Sequence, residues 1–270
     1  MNPTPTSKNK LETLASRRKA VERVIKNVSQ KLDESLTMDE MAHMAYMSPF
    51  HFNRVFHQIT GLPPTQFLYA MRLEKAKRLL LTTKLNVSDI CFSVGYNSLG
   101  TFTSRFTELV GISPLGYRRL ARRIRSHDWD TLFREAGRPT GDQTSKSSLK
   151  GNVIAPGDFE GLIFIGLFSR MIPQSQPVSG TMLTRGGPFY LHSLPIGKYN
   201  LLSAALPRSP DPLEYLLPDL TKLLVATYAI PVEIKNRTAE NHVEIRLRPA
   251  AITDPPILLA LPNLLINGIN

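Results

Sequence analysis

At 270 residues the chain is long enough for two domains, each with the apolar sequence to bury a core. Its net charge of +11 is unevenly placed: residues 1–125 hold 20 Lys and Arg against 9 Asp and Glu, and residues 126–270 hold 13 against 13. The single Cys91 excludes an intrachain disulfide and a cysteine-rich zinc site. The first residues lack the apolar stretch of a secretory signal, and no apolar run approaches the roughly eighteen residues that span a bilayer. The expectation is a cytoplasmic protein with no membrane partner and no cofactor.

Residues 1–15 are polar and read as loose. Val21, Val24, Ile25 and Val28 recur at helical spacing, which predicts an amphipathic helix from about Arg18 to Leu32. Thr37 with Glu40 forms a capping-box pattern before a helix from Met38 to about Ala45. Ser48 caps the next helix, with Pro49 at its first position, and Gly61 ends it. A long helix follows from Pro64 to about Leu81, with Arg72, Lys75, Lys77 and Arg78 assigned to its polar side.

The same pattern then recurs about fifty residues on. Asn86 or Val87 opens a short helix, Asn97 or Ser98 caps a second one, and Gly111 ends it. Two short helices joined by a tight turn suit a unit that presents its second helix to a DNA groove, and here the unit is written twice. A basic helix from Pro114 to about Arg125 closes the region. Its arginines 118, 119, 122, 123 and 125 are either a solvated face or a set of phosphate contacts. The coincidence of the excess positive charge with this duplicated unit points to double-stranded DNA.

In the first unit Phe52, Phe56 and Ile59 form a core-facing stripe. The offset face carries Phe50, Asn53, Arg54 and His57. Arg54 has the geometry to bond guanine and Asn53 to bond adenine, Phe50 can meet a thymine methyl, and His51 and His57 can reach phosphates. In the second unit Phe102, Phe106 and Leu109 make the core stripe. The outer face is Gly100, Thr103, Ser104 and Thr107, with Thr101 beside it and Arg105 on the flank, better placed for phosphate than for bases. The first helix is therefore expected to read sequence and the second mainly to dock.

Residues 126–150 turn polar and read as a linker, with a short helix around Trp129–Glu135. Beyond it, Gly161–Phe168 is an apolar run, Phe189–Leu194 and Tyr199–Ala205 flank a Pro-Gly turn, and Val243–Arg248 alternates as a half-buried strand. This half, residues 151–270, reads as a small antiparallel β-sandwich. His192 and His242 are too isolated to argue for a metal, and no nucleophile sits beside a base.

Residues 18–123 resemble the DNA-binding domain of AraC/XylS-type transcriptional regulators. The resemblance rests on Ser-Pro-x-x-x-x-Arg-x-Phe in the first unit, Arg-Leu-Glu-Lys-Ala-Lys-Arg-Leu-Leu at 72–80, Val87-Ser-Asp-Ile, Gly95-Tyr96, and Gly111-Ile-Ser-Pro-Leu-Gly-Tyr117-Arg118-Arg119. It implies seven helices in two helix-turn-helix subdomains joined by a long helix. It also implies base-reading positions at Phe50, Asn53 and Arg54, and at Gly100, Thr101 and Ser104. Two features depart from the family. Ser104 stands where an arginine is usual, with Arg105 displaced by one, and the domain comes first rather than last. The second half resembles a transthyretin-like or carboxypeptidase-regulatory-like sandwich.

The fold expected is thus an all-α double helix-turn-helix domain followed by a small antiparallel β-sandwich. The function expected is a sequence-specific transcriptional regulator, non-enzymatic and nucleoid-associated, with an architectural, weakly selective DNA binder as the alternative. An alkyl-transfer repair enzyme would need a reactive Cys91, which falls on the inward face of a predicted helix. RNA polymerase, a small-molecule effector or a second copy of the chain are the further partners left open for the C-terminal half.

Overall fold

The computed structural model describes residues 7–125, 148–235 and 242–261. Seven helices come first: α1 (Ser7–Gln30), α2 (Met38–Met44), α3 (Pro49–Thr60), α4 (Pro64–Thr82), α5 (Val87–Ser93), α6 (Leu99–Val110) and α7 (Pro114–Arg125). Local chemistry sets most of their ends. The Thr37 hydroxyl accepts from the Glu40 N–H while the Glu40 carboxylate accepts from the Thr37 N–H, so the capping box forms as expected. Asn86 and Ser98 cap α5 and α6 in the same way, through the N–H groups of Asp89 and Thr101. Ser48 occupies the cap of α3 without a side-chain bond. Gly61 and Gly111 end α3 and α6 in left-handed conformations that only glycine adopts without strain.

Two expectations about the helices need correction. α1 begins at Ser7, well inside the stretch whose polarity suggested a loose end. Arg72 and Lys77 do not lie on a solvated face of α4 but are buried, at 7% and 1% exposure. The reason is that α4 is packed on most of its circumference, with nine of its nineteen residues buried. A helix wedged between two subdomains has little room for a polar side.

The β region contains β1 (Ser148–Ile154), β2 (Gly161–Phe168), β3 (Ser179–Leu183), β4 (Gly187–His192), β5 (Gly197–Pro207), β6 (Leu224–Thr227), β7 (Val232–Ile234), β8 (His242–Arg246) and β9 (Arg248–Pro249), with a 3₁₀ turn at Pro212–Tyr215. β1 starts inside the stretch that composition assigns to a linker. The proposed helix at 129–135 lies outside the described residues. One sheet runs β4-β1-β8 and the other β3-β2-β5-β6-β9, with β7 added to the first residues of β5.

The sheets are antiparallel with one exception, since β1 and β8 pair in parallel. The strands flanking the Pro-Gly turn do not pair either. β4 joins β1 while β5 joins β2, so that turn carries the chain from one sheet to the other. β2 is buried along its whole length. Ile163, Ile165 and Leu167 enter an apolar cluster drawn from both sheets, and Leu162, Phe164 and Phe168 enter another on the opposite face. A strand covered on both faces has no reason to alternate, which accounts for its continuous apolar run.

The helical and β regions are docked on one another. Residues 257–261 form a two-sided strap: Ile257, Leu259 and Leu261 pack on the sheet, while Leu258 and Ala260 join the helical core. Lys77 Nζ donates to the Ile257 carbonyl at 2.7 Å and pairs with Glu74 at 2.8 Å. The Tyr117 hydroxyl donates to the Leu216 carbonyl at 2.8 Å.

Candidate nucleic-acid interface

The buried face of α3 is Phe52, Val55, Phe56 and Thr60, with Phe52 and Phe56 in edge contact at 5.4 Å and Phe56 continuing to Phe67 at 5.4 Å. Burying this face leaves the offset face to solvent. Phe50 is 82% exposed, and Asn53, Arg54 and His57 are exposed beside it. His51 is half-buried, with its ring nitrogen 3.4 Å from the Arg54 guanidinium.

In α6 Phe102, Phe106 and Val110 are buried, and an aromatic chain runs from Tyr96 through Phe102 and Phe106 to Tyr117. Gly100, Thr101 and Ser104 are exposed, whereas Thr103 is half-buried and the Thr107 hydroxyl donates to the Thr103 carbonyl. The outer face of α6 therefore offers fewer free polar groups than its sequence suggests. Arg105 is half-buried and lies over the Tyr69 ring at 4.5 Å, turned toward α4.

Arg118 and Arg119 differ sharply. Arg118 donates to the Leu80 and Leu85 carbonyls at 3.0 and 2.7 Å and so ties α7 to the end of α4 and the loop beyond it. Arg119, Arg122, Arg123 and Arg125 are exposed. Arg72 was missed as an anchoring group. It donates to the carbonyls of Leu32 and Glu34, and desolvation pulls its pKa below the usual guanidinium value. The signal was available in α4, whose apolar residues surround the helix rather than forming one stripe.

Cys91 is fully buried and its thiol approaches the Tyr96 carbonyl at 3.9 Å. Burial raises its pKa, which disfavours the thiolate that nucleophilic chemistry requires. Among the described residues no group of His, Cys, Asp and Glu could hold a metal ion, and no helix is long and apolar enough to cross a membrane.

Residues 41–120 match the family model described as a helix-turn-helix domain. Over 92 residues the chain is 33% identical to the transposon Tn10 TetD protein of Escherichia coli, covering 34% of this chain and 67% of that protein. The chain belongs to the AraC-type family of helix-turn-helix regulators. It is also 26% identical over 102 residues to the bifunctional transcriptional activator/DNA repair enzyme AdaA of Bacillus subtilis, covering 38% of this chain and 48% of that protein. Among solved structures, the DNA-binding domain of the global transcriptional factor AdpA in complex with a target DNA is 30% identical, with a TM-score of 0.38, covering 40% of this chain and 97% of that one. All these matches fall on a part of the chain the size of its helical region. Within an AraC-type family the chain is a DNA-binding transcriptional regulator, and an architectural role is not favoured.

Proposed function

We propose that this regulator reads sequence with α3 and sets register with α6, the two helices entering successive major grooves of one duplex. The observation that carries the proposal is the asymmetry of the two outer faces. α3 presents Phe50, Asn53 and Arg54 to solvent, whereas α6 presents Gly100, Thr101 and Ser104. Long planar donors discriminate bases through bidentate bonds, and small hydroxyls do so weakly. His51, His57 and Arg119 supply phosphate contacts around these helices, and Arg118 supports them from behind.

The β region is proposed to be a sandwich of the transthyretin-like or carboxypeptidase-regulatory-like kind, supported by the apolar cluster that both sheets share. Its role is regulatory rather than catalytic, through RNA polymerase, a small effector or a second copy of the chain. The whole would act at the nucleoid in the cytoplasm. The buried, protonated Cys91 argues against alkyl transfer at that residue.

The test is Arg54→Ala, assayed against duplexes recovered by selection from a random pool. Specific binding should weaken by about 1–3 kcal/mol, with selectivity relaxed at one base. Ser104→Ala should shift it by less than about 0.5 kcal/mol. Equal losses from the two substitutions would sink the division of labour.

A further inference from the structure

Between the two helix-turn-helix units lies an open cleft of about 440 Å³. Its walls are the segment entering α2, the first half of α4, the turn between α5 and α6, and the first two turns of α6. Thr37, Tyr69, Arg72, Tyr96, Ser98 and Arg105 line it, and no carboxylate does. The nearest acids are accounted for: Asp33 lies within the field of Arg72, and Glu40 is bound to the Thr37 N–H and hydroxyl.

Two groups in the cleft have unmet capacity. Tyr96 is 5% exposed, and its buried hydroxyl makes no hydrogen bond of good geometry, with the Arg105 guanidinium beside it and its own proton left to give. A buried polar group without a well-made hydrogen bond is destabilising, and its retention calls for a reason. Arg105 stacks over the Tyr69 ring, which fixes the plane of the guanidinium, and stands against the Tyr96 hydroxyl; its five N–H donors exceed these contacts. Arg72, by contrast, spends its donors on carbonyls and adds only charge. At the rim stands the N-terminus of the twelve-residue helix α6, whose cap Ser98 accepts from the Thr101 N–H and keeps its own hydroxyl proton to give. Helix N-termini carry partial positive charge and favour anions.

We propose that this cleft is a phosphate site, bound by the Arg105 guanidinium and the Tyr96 hydroxyl. Two cations, several hydroxyl donors and no opposing carboxylate match a tetrahedral oxyanion better than a neutral or cationic ligand. The cleft shares its rim with the first turn of the second recognition helix and reaches across to the entrance of α2. A phosphate of the DNA strand passing between the two half-sites is the source this position favours, which rests on the function proposed above. A free small phosphate is the other source of the same chemistry. In either case Arg105, displaced by one position from the base-reading face, binds phosphate rather than a base.

The experiment has two arms. In the first, affinity for a selected duplex is measured against salt concentration for the wild type, Arg105→Gln, Arg105→Lys and Tyr96→Phe. Arg105→Gln should lower the slope of log K against log salt by about 0.9, and Arg105→Lys should restore it. Tyr96→Phe should weaken binding about tenfold on all sequences alike, with little change in thermal stability, because the hydroxyl makes no well-aligned bond in the free protein. A neutral methylphosphonate placed at successive mid-site backbone positions should reproduce the Arg105→Gln loss at one position and add nothing to it in that variant.

In the second arm, inorganic phosphate is titrated against the free protein with thermal unfolding as readout. Stabilisation of the wild type but not of Arg105→Gln, with duplex binding unaltered by the substitution, assigns the cleft to a free phosphate. Unchanged salt slopes, unchanged affinity in Tyr96→Phe and no response to phosphate overturn the proposal. A protein that binds no duplex at all would defeat the regulatory reading while the phosphate titration still decides the cleft.

Discussion

The two helix-turn-helix units share a plan and differ in how they are held. In the first, Ala45–Ser48 connects α2 to α3, and Tyr46 takes a left-handed conformation at φ 56 with its ring exposed and Arg23 over it at 5.1 Å. In the second, Val94–Ser98 connects α5 to α6, one residue longer, and the left-handed position is Gly95 at φ 83. A Cβ on Gly95 would lie 2.3 Å from the Leu32 carbonyl and 2.8 Å from Arg72. The first turn is a surface turn with a strained residue, whereas the second is packed against the middle of the domain.

The C-terminal ends of the recognition helices differ more. A helix leaves its last four carbonyls without internal partners. In α6 all four are met: Thr107 by the Gly111 N–H, Glu108 by the Ser175 hydroxyl, Leu109 by the Ser175 N–H, and Val110 by the Ala260 N–H. Three of these donors come from the β region. For α3 the described backbone bond at this end is Gly61 N–H to His57, within the same turn. The β region thus meets the end of α3 by packing Met171 against Gly61, and the end of α6 by three hydrogen bonds.

The largest predicted effect is Gly95→Ala. Clash with the Leu32 carbonyl together with left-handed strain should cost on the order of 4 kcal/mol, read by denaturant unfolding. A loss below about 1 kcal/mol would mean that the second turn is as tolerant as the first. Lys77→Met should cost about 3 kcal/mol, since it strands the Ile257 carbonyl and leaves Glu74 without its partner. It should also raise hydrogen exchange in residues 254–261. Unaltered exchange there would show that the strap is held by apolar contact alone.

Ser175→Ala removes the donor to Glu108 and should cost about 1 kcal/mol. Footprinting of bound duplex should then show weakened protection at one half-site with the other intact. Loss at both would contradict selective anchoring of α6. The smallest effect is Tyr46→Gly, which relieves left-handed strain but loses the Arg23 contact. A net stabilisation of roughly 0.5–1 kcal/mol is expected. A marked loss of stability instead would mean that the first turn is packed more tightly than its exposure indicates.

Legibility in the sequence follows how local each determinant is. The caps at Thr37, Ser98, Gly61 and Gly111 rest on bonds spanning four residues or fewer, and all could be read. The core stripe and exposed face of α3 follow from helical period alone. The side of α4 did not, because Arg72 and Lys77 find their partners at sequence separations of 40 and 180 residues. Strand pairing failed for the same reason. A Pro-Gly turn between two apolar strands is as compatible with a crossing between sheets as with a hairpin, and only the partners β1 and β2 decide. The sequence put Arg105 near the flank of α6, and its capture by Tyr69 needed the packing of α4 against α6.

By itself, the sequence determined two recognition helices, the contrast between their outer faces and the basic character of the half that carries them. Those are properties of residue type and spacing, and folding merely displays them. The tertiary structure decided which cations remain available. Arg118, Arg72 and Lys77 are consumed by carbonyls, while Arg105 is turned into a cleft beside the Tyr96 hydroxyl. It also decided that the C-terminal half hydrogen-bonds the end of α6 but meets the end of α3 by apolar packing. A buried donor or acceptor must find a partner wherever the fold offers one, and for those three cations the carbonyl partner lies 33 to 180 residues away in the chain.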